Sequence, residues 1–247
     1  MLRKSILLLL FFVLLKPTSA FSLTGEEILK KIDYNLISNY QILVIKMTVY
    51  TRQGDIQFKS KSWSMPIDKK YFTEFQEPAR EKGTKILKLK EDLWTYSPQT
   101  DRIITIAGHM SRQSLMGSDL SYEDYMNDDT LTNMYTAKIT GEETINDRKC
   151  FVMKLIAKND SITYQSRKVW VDKKYMIPLK SELYAKSGKL LKWISVSEVM
   201  HIQDRYYPKR SKFKDVLKIG NGTEFIVESI DFLSPISKYK FSKSALR

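Results

Sequence analysis

The residues best equipped for chemistry lie close together in RQSLMGSDLSYEDY, residues 112–125, where Ser114, Ser118 and Ser121 alternate with Asp119, Glu123 and Asp124 around a Gly-Ser-Asp turn. With His109 just upstream, the segment holds the residue types of a nucleophile, a base and an orienting acid. The setting argues against that use. Ser118 has no G-x-S-x-G context to raise it on a strand-to-helix elbow, and Ser, Asp and Gly are equally the residues of helix caps and tight turns. Ser121 followed three positions later by Asp124 reads as the start of a capped helix. A glycosidase-type carboxylate pair drawn from Glu123, Asp124, Asp128 and Asp129 competes with a plainer reading, a solvated acidic rim.

Other reactive residue types are sparse. His109 and His201 are far apart, and Cys150 stands alone in an alternating apolar run, so no pair has metal-ligand spacing. A single cysteine also forbids an intramolecular disulfide. Neither G-x-x-x-x-G-K-[ST] nor G-x-G-x-x-G occurs, which leaves nucleotide-binding loops without support. No cofactor, no metal and no enzymatic activity are expected.

The elements that must position the 112–125 segment begin after a leader. Residues 1–20 place Arg3 and Lys4 before an apolar run from Ile6 to Leu15, then small residues at Thr18 and Ala20, the pattern of a secretory signal peptide. That run is too short for a membrane-spanning helix. Residues 21–247 then form one domain, within the size that a single all-β unit fills. Three of the 41 Lys and Arg fall in the leader, so 38 remain against 28 Asp and Glu, a balance of +10. A basic exported protein is suited to transient contact with an anionic membrane surface rather than to nucleic acid.

Thr24 and Glu27 have capping-box spacing, and Ile28, Leu29, Ile32 and Leu36 recur on one face, which predicts an amphipathic helix. From Gln41 the period changes to two and remains so through about a dozen segments separated by turns such as RQGD, Asn146-Asp147 and Ser187-Gly188. The expected fold is mainly β, antiparallel and in meander order, with an insertion near residues 111–127 and a short tail from Ser237. Several strands are apolar on both faces, as in CFVMKLIA, so both faces of the sheet need cover from helices, another sheet or a ligand. Aromatic and methionine side chains are abundant in these strands, and such side chains suit either a β core or an adaptable apolar pocket.

Two stretches carry a resemblance. Residues 77–125, EPAREKGTKILKLKEDLWTYSPQTDRIITIAGHMSRQSLMGSDLSYEDY, and the hairpin KVWVDKKYMIPLKSELYAKSGKLLK, residues 168–192, resemble the LolA-like outer-membrane lipoprotein-sorting family. The resemblance implies a curved, incomplete β-barrel of about 11–12 strands, with the N-terminal helix and a lid helix or loop on its concave side. It further implies a periplasmic, monomeric carrier that shields acyl chains of a lipoprotein or lipid between an inner-membrane donor and an outer-membrane acceptor. Some relatives with this fold instead serve as sensors or accessory subunits of a membrane protein, and this is the alternative expectation. The 112–125 segment becomes the lid, with Leu115 and Met116 turned to the cavity. Strand alternation and the resemblance together nominate Leu43, Ile45, Met47, Val49, Trp63, Phe75, Trp94, Tyr96, Phe151, Met153, Leu155 and Trp170 as the remaining lining.

Overall fold

The structure, a computed structural model, describes residues 23–126 and 129–247. The expected leader, residues 1–20, lies outside the described residues, as does Asp128. The chain opens with α1 (Gly25–Leu36), followed by β1 (Gln41–Thr51), β2 (Gly54–Met65), β3 (Lys70–Glu77), β4 (Lys85–Leu89), β5 (Asp92–Ser97) and β6 (Arg102–Ile106). A strap, residues 108–126, carries two short 3₁₀ turns and α2 (Tyr122–Met126); α3 (Leu131–Met134) comes next. The remaining strands are β7 (Tyr135–Ile145), β8 (Arg148–Ala157), β9 (Ser166–Asp172), β10 (Pro178–Tyr184), β11 (Leu190–Ile202), β12 (Arg205–Asp215) and β13 (Thr223–Asp231).

All thirteen strands form one antiparallel sheet in the order β6-β5-β4-β3-β2-β1-β13-β12-β11-β10-β9-β8-β7, with β6 and β7 as its edges. It is therefore open, and among the described residues it has thirteen strands rather than about 11–12. Tyr71 of β3 and Val169 of β9 are seven strands apart in that order, about 34 Å along a flat sheet at ~4.8 Å per strand. They nonetheless line one cavity, so the face they share is concave.

Each end of α1 is fixed by its own sequence. Glu27 Oε2 accepts the Thr24 backbone N–H at 2.7 Å while Thr24 Oγ1 accepts the Glu27 N–H at 3.2 Å, the capping box expected from the spacing. Ile28, Leu29 and Ile32 are buried against Met153, Leu155, Val169 and Val171 on the inner face of β8 and β9. Burying such a side chain contributes about 1.5–3 kcal/mol. The helix sits so close to β7 that a Cβ on Gly25 would fall 2.4 Å from the Ala137 carbonyl oxygen. At the other end Asp33 accepts the Leu131 and Thr132 N–H groups at 2.8 and 3.0 Å and thereby holds α3.

Pro208 falls inside β12, where a missing N–H costs a ladder bond. The cost is avoided because β13 pairs with β12 only over Arg210–Phe213, and bulges at Val196 and Glu198 adjust the β11 side. The outer face of β3–β5 is covered by the C-terminal tail. There Ile236, Phe241 and Leu246 pack on Phe72, Leu87 and Trp94. The sheet is thus covered by helices and strap on its inner face and, at β3–β5, by the tail on its outer face.

Candidate functional site

Two apolar cavities lie on the concave face, the larger under α1 and α3 with Tyr125 of the strap at its edge, the smaller under the strap itself. The larger, about 390 Å³, is lined by Leu36, Leu131, Met134, Val169, Ile194, Val196 and Phe213, with Asp33, Gln41, Tyr71 and Arg167 as polar members. The smaller, about 210 Å³, is lined by Ile45, Met47, Phe75, Ile86, Leu115, Leu120 and Phe225. Tyr125 and Phe213 belong to both linings, so they form the partition between the two. The partition is anchored. Tyr125 reaches from α2 into the groove, where its hydroxyl and Thr73 Oγ1 are 2.8 Å apart, and Thr73 in turn is 2.7 Å from Ser62 Oγ. Burial pushes the Tyr125 hydroxyl pKa up to about 12, so it stays a neutral hydrogen-bonding group at physiological pH. Arg167 donates from Nε to the Tyr135 hydroxyl at 2.9 Å and stacks over the Tyr135 and Tyr164 rings, which gives the larger cavity a fixed cationic wall.

The strap that covers the groove is held by polar staples. Asp119 is buried, accepts from Thr223 Oγ1 at 2.8 Å and from the Asp215 N–H at 2.9 Å, and donates its own N–H to Thr223 Oγ1 at 2.9 Å. Ser118 is also buried, and its hydroxyl serves a local turn, accepting the Leu120 N–H at 3.2 Å. Ser121 and Asp124 cap α2 reciprocally, with Ser121 N–H to Asp124 Oδ2 at 2.7 Å and Asp124 N–H to Ser121 Oγ at 3.2 Å. Asp124 also pairs with Lys192 and accepts from the Tyr164 hydroxyl. Burial alone would raise the Asp124 pKa, but the Lys192 ammonium and these hydrogen bonds outweigh it and hold the carboxyl below its usual value. Ser118, Asp119, Ser121 and Asp124 are consequently engaged in holding the strap, and none has the exposed geometry of a nucleophile or its base.

The structure places the nominated residues unequally. Ile45, Met47, Phe75 and Leu115 line the smaller cavity. Val49 and Met116 pack in the same cluster. Leu43 shares the inner face of β1 but packs with Val227, Ile230 and Phe232 and lines neither cavity. Phe151, Met153 and Leu155 are on the inner face of β8, where α1 fills the space above them.

Four nominated residues face away from the groove. Trp63, Trp94 and Tyr96 face outward under the C-terminal tail, with Lys240 over the Trp63 ring at 3.8 Å and Lys243 over Trp94 at 4.2 Å. Trp170 also turns away from the groove: its indole N–H donates to Glu143 at 2.7 Å and Lys168 and Lys180 flank its ring. The physical reason is shared by all four. Alternation separates the two faces of a strand, but an outer face that is itself covered or flanked by lysine stems accepts bulky aromatics as readily as an inner one.

Sequence reasoning missed most of the larger cavity. Val169, Ile194 and Val196 sit on alternating strands, but alternation alone does not say which of the two sets faces inward. Tyr125 gave no comparable signal, because its reach across the groove depends on where the strap is stapled.

No curated protein matches the chain. A family model described as an uncharacterised protein matches residues 67–247. Among solved structures, a protein domain from Vibrio parahaemolyticus assigned to outer-membrane lipoprotein sorting is 23% identical, with a TM-score of 0.77 over 90% of this chain and 97% of that one. A DUF1329 family protein from Desulfovibrio piger is 23% identical, with a TM-score of 0.81 over 90% and 98%. A LolA superfamily protein from Nitrosomonas europaea is 24% identical, with a TM-score of 0.73 over 91% and 100%. The chain thus belongs to the family whose model matches residues 67–247, and it shares the fold of these three solved structures, among them a LolA superfamily protein.

Proposed function

We propose that this protein is a periplasmic carrier that shields the acyl chains of a lipoprotein or lipid during transfer towards the outer membrane, with no catalytic step of its own. The observation that carries the reading is the divided apolar groove beneath a strap fastened by polar staples. The larger cavity falls within the ~300–1,000 Å³ typical of ligand sites. An extracted chain loses about 0.8 kcal/mol for each CH₂ left in water, so a carrier must offer cover along the length of the chain.

It must also let go. α1 is fixed by fully buried Ile28 and Ile32, whereas the strap buries Leu115 and is otherwise tied by Asp119, Asp124 and their partners, whose hydrogen bonds water can replace once it lifts. The strap is therefore the element that opens, and Tyr125, which it carries, would leave the groove with it. Opening would join the two cavities into one channel. No helix among the described residues is long and apolar enough to cross a membrane, which fits a carrier that moves between membranes.

The test is native mass spectrometry of protein purified without detergent, followed by organic extraction. Adducts with the mass of a lipid or acylated peptide are expected, reduced by Leu115→Asp and unchanged by Ser118→Ala. A bare protein mass that stays bare after incubation with lipid vesicles would sink the proposal, and loss of binding in Ser118→Ala with retention in Leu115→Asp would restore an active-site role to the segment.

A further inference from the structure

The strap segment that brings Leu115 and Leu120 to the smaller cavity is held from outside by one loop, residues 216–222, between β12 and β13. Lys218 of this loop donates to Ser114 Oγ and to the Ser118 carbonyl, one on each side of Leu115. Its neighbours point the other way. Leu217 is 63% exposed and Ile219 is 78% exposed, and Ile56 on the adjoining β1–β2 hairpin is 45% exposed. Ile56 pairs with Val49, which pairs with Thr223, so the three apolar side chains belong to the same end of the sheet.

The loop is built rather than slack. Asp215 accepts the Leu217 N–H at 2.9 Å, the Lys214 ammonium holds the Lys218 carbonyl at 2.6 Å, and Gly222 takes a positive φ where a Cβ would lie 2.5 Å from the Phe213 carbonyl oxygen. Leu217 and Ile219 are thus held out into solvent by ordered backbone, with Lys218 between them in the chain and the stems of Lys212 and of the Asp119-paired Lys214 packed beside Gly222. Apolar tips flanked by cations match one surface closely, the interface of an anionic bilayer, where acyl chains take the tips and phosphates take the ammonium groups.

We propose that the 216–222 loop docks on an anionic membrane surface and that docking draws Lys218 from the strap to a lipid phosphate, which loosens the strap over the groove. Docking stands whether or not the groove carries lipid; the loosening rests on the carrier reading. The two residues at the tips supply the insertion and the lysine between them supplies the coupling.

The experiment is flotation of residues 21–247, which contain every described element, with vesicles of phosphatidylethanolamine and phosphatidylglycerol, against vesicles of phosphatidylcholine alone. Hydrogen exchange of amides 114–120 is followed in the same samples. Wild type is expected to float with the anionic vesicles only, and Leu217→Ser with Ile219→Ser is expected to weaken that by at least about tenfold. Exchange in 114–120 should rise on docking, and Lys218→Ala should raise it without vesicles. Wild type that fails to float, that floats equally on phosphatidylcholine, or that floats undiminished in the double variant overturns the docking; docked wild type with unchanged strap exchange overturns the coupling. Lipid retained after detergent-free purification is measured separately, so a double variant that keeps lipid but no longer floats distinguishes failed docking from failed carriage.

Discussion

Asp124 illustrates how much one side chain can hold in place. It caps α2, pairs with Lys192 and receives the Tyr164 hydroxyl, and its carboxyl is held below the usual pKa. A depressed carboxyl stabilises the fold fully above its unfolded value of about 3.9, and that contribution drains away as pH falls through the lower folded value. Asp124→Asn strands the Lys192 ammonium in a largely buried site, so it should cost about 3 kcal/mol at pH 7. In thermal or denaturant unfolding, the gap between wild type and variant should stay level from pH 7 to 5 and shrink below pH 4. A gap unchanged at low pH would remove the ion pair as its cause. Tyr125→Ala makes a different claim at the same scale. With the partition gone, the groove should accept longer fatty-acyl probes than wild type in a displacement assay, and an unchanged chain-length profile would show that Tyr125 divides nothing.

Among the elements, α1 and the strap share the concave face, but the strap adds polar staples to a smaller apolar contribution. α1 contributes Ile28, Leu29 and Ile32 to a cluster with Met153, Leu155, Val169 and Val171. Ile32→Ala should cost about 2–5 kcal/mol in urea unfolding, since a buried methyl cluster is lost and the rigid sheet cannot collapse to fill the space. The same substitution should leave exchange in the strap close to wild type, because the strap is fastened to β11, β12 and β13 instead. Gly25→Ala belongs with it. The clash with the Ala137 carbonyl would push α1 away from β7 and lower stability, although alanine is the better helix former.

For the whole molecule, the open sheet makes the C-terminal tail as necessary as the inner helix. An unclosed sheet with apolar side chains on both faces exposes whichever face lacks a partner, and Phe241 and Leu246 supply the outer one. Phe241→Ala should cost about 3–5 kcal/mol in unfolding. Removing residues 238–247 should also shift tryptophan emission to the red, because Trp63 and Trp94 lie beneath them. Unshifted emission would mean the outer face is protected by something other than the tail.

What the amino-acid sequence determined by itself was local and periodic. The capping boxes at Thr24–Glu27 and Ser121–Asp124, the two-residue turn at Asn146-Asp147 where both φ angles are positive, and the alternation of β1 and β8 follow from short-range sterics and hydrogen bonding, and the structure contains each of them. Alternation sorts a strand's side chains into two sets but carries no label for which set faces inward. That label came from partners distant in the chain. The tail at residues 238–246 turned Trp63, Trp94 and Tyr96 into outer-face residues, and α1 filled the space over Phe151, Met153 and Leu155. The larger cavity joins residues from α1, the strap and β9–β12, and Tyr125 divides the groove only because Asp119, Thr223 and Lys192 fix the strap above it. Sequence periodicity determined the faces, and only tertiary contact decided which of them encloses space, because enclosure depends on what the curved sheet brings together across many strands.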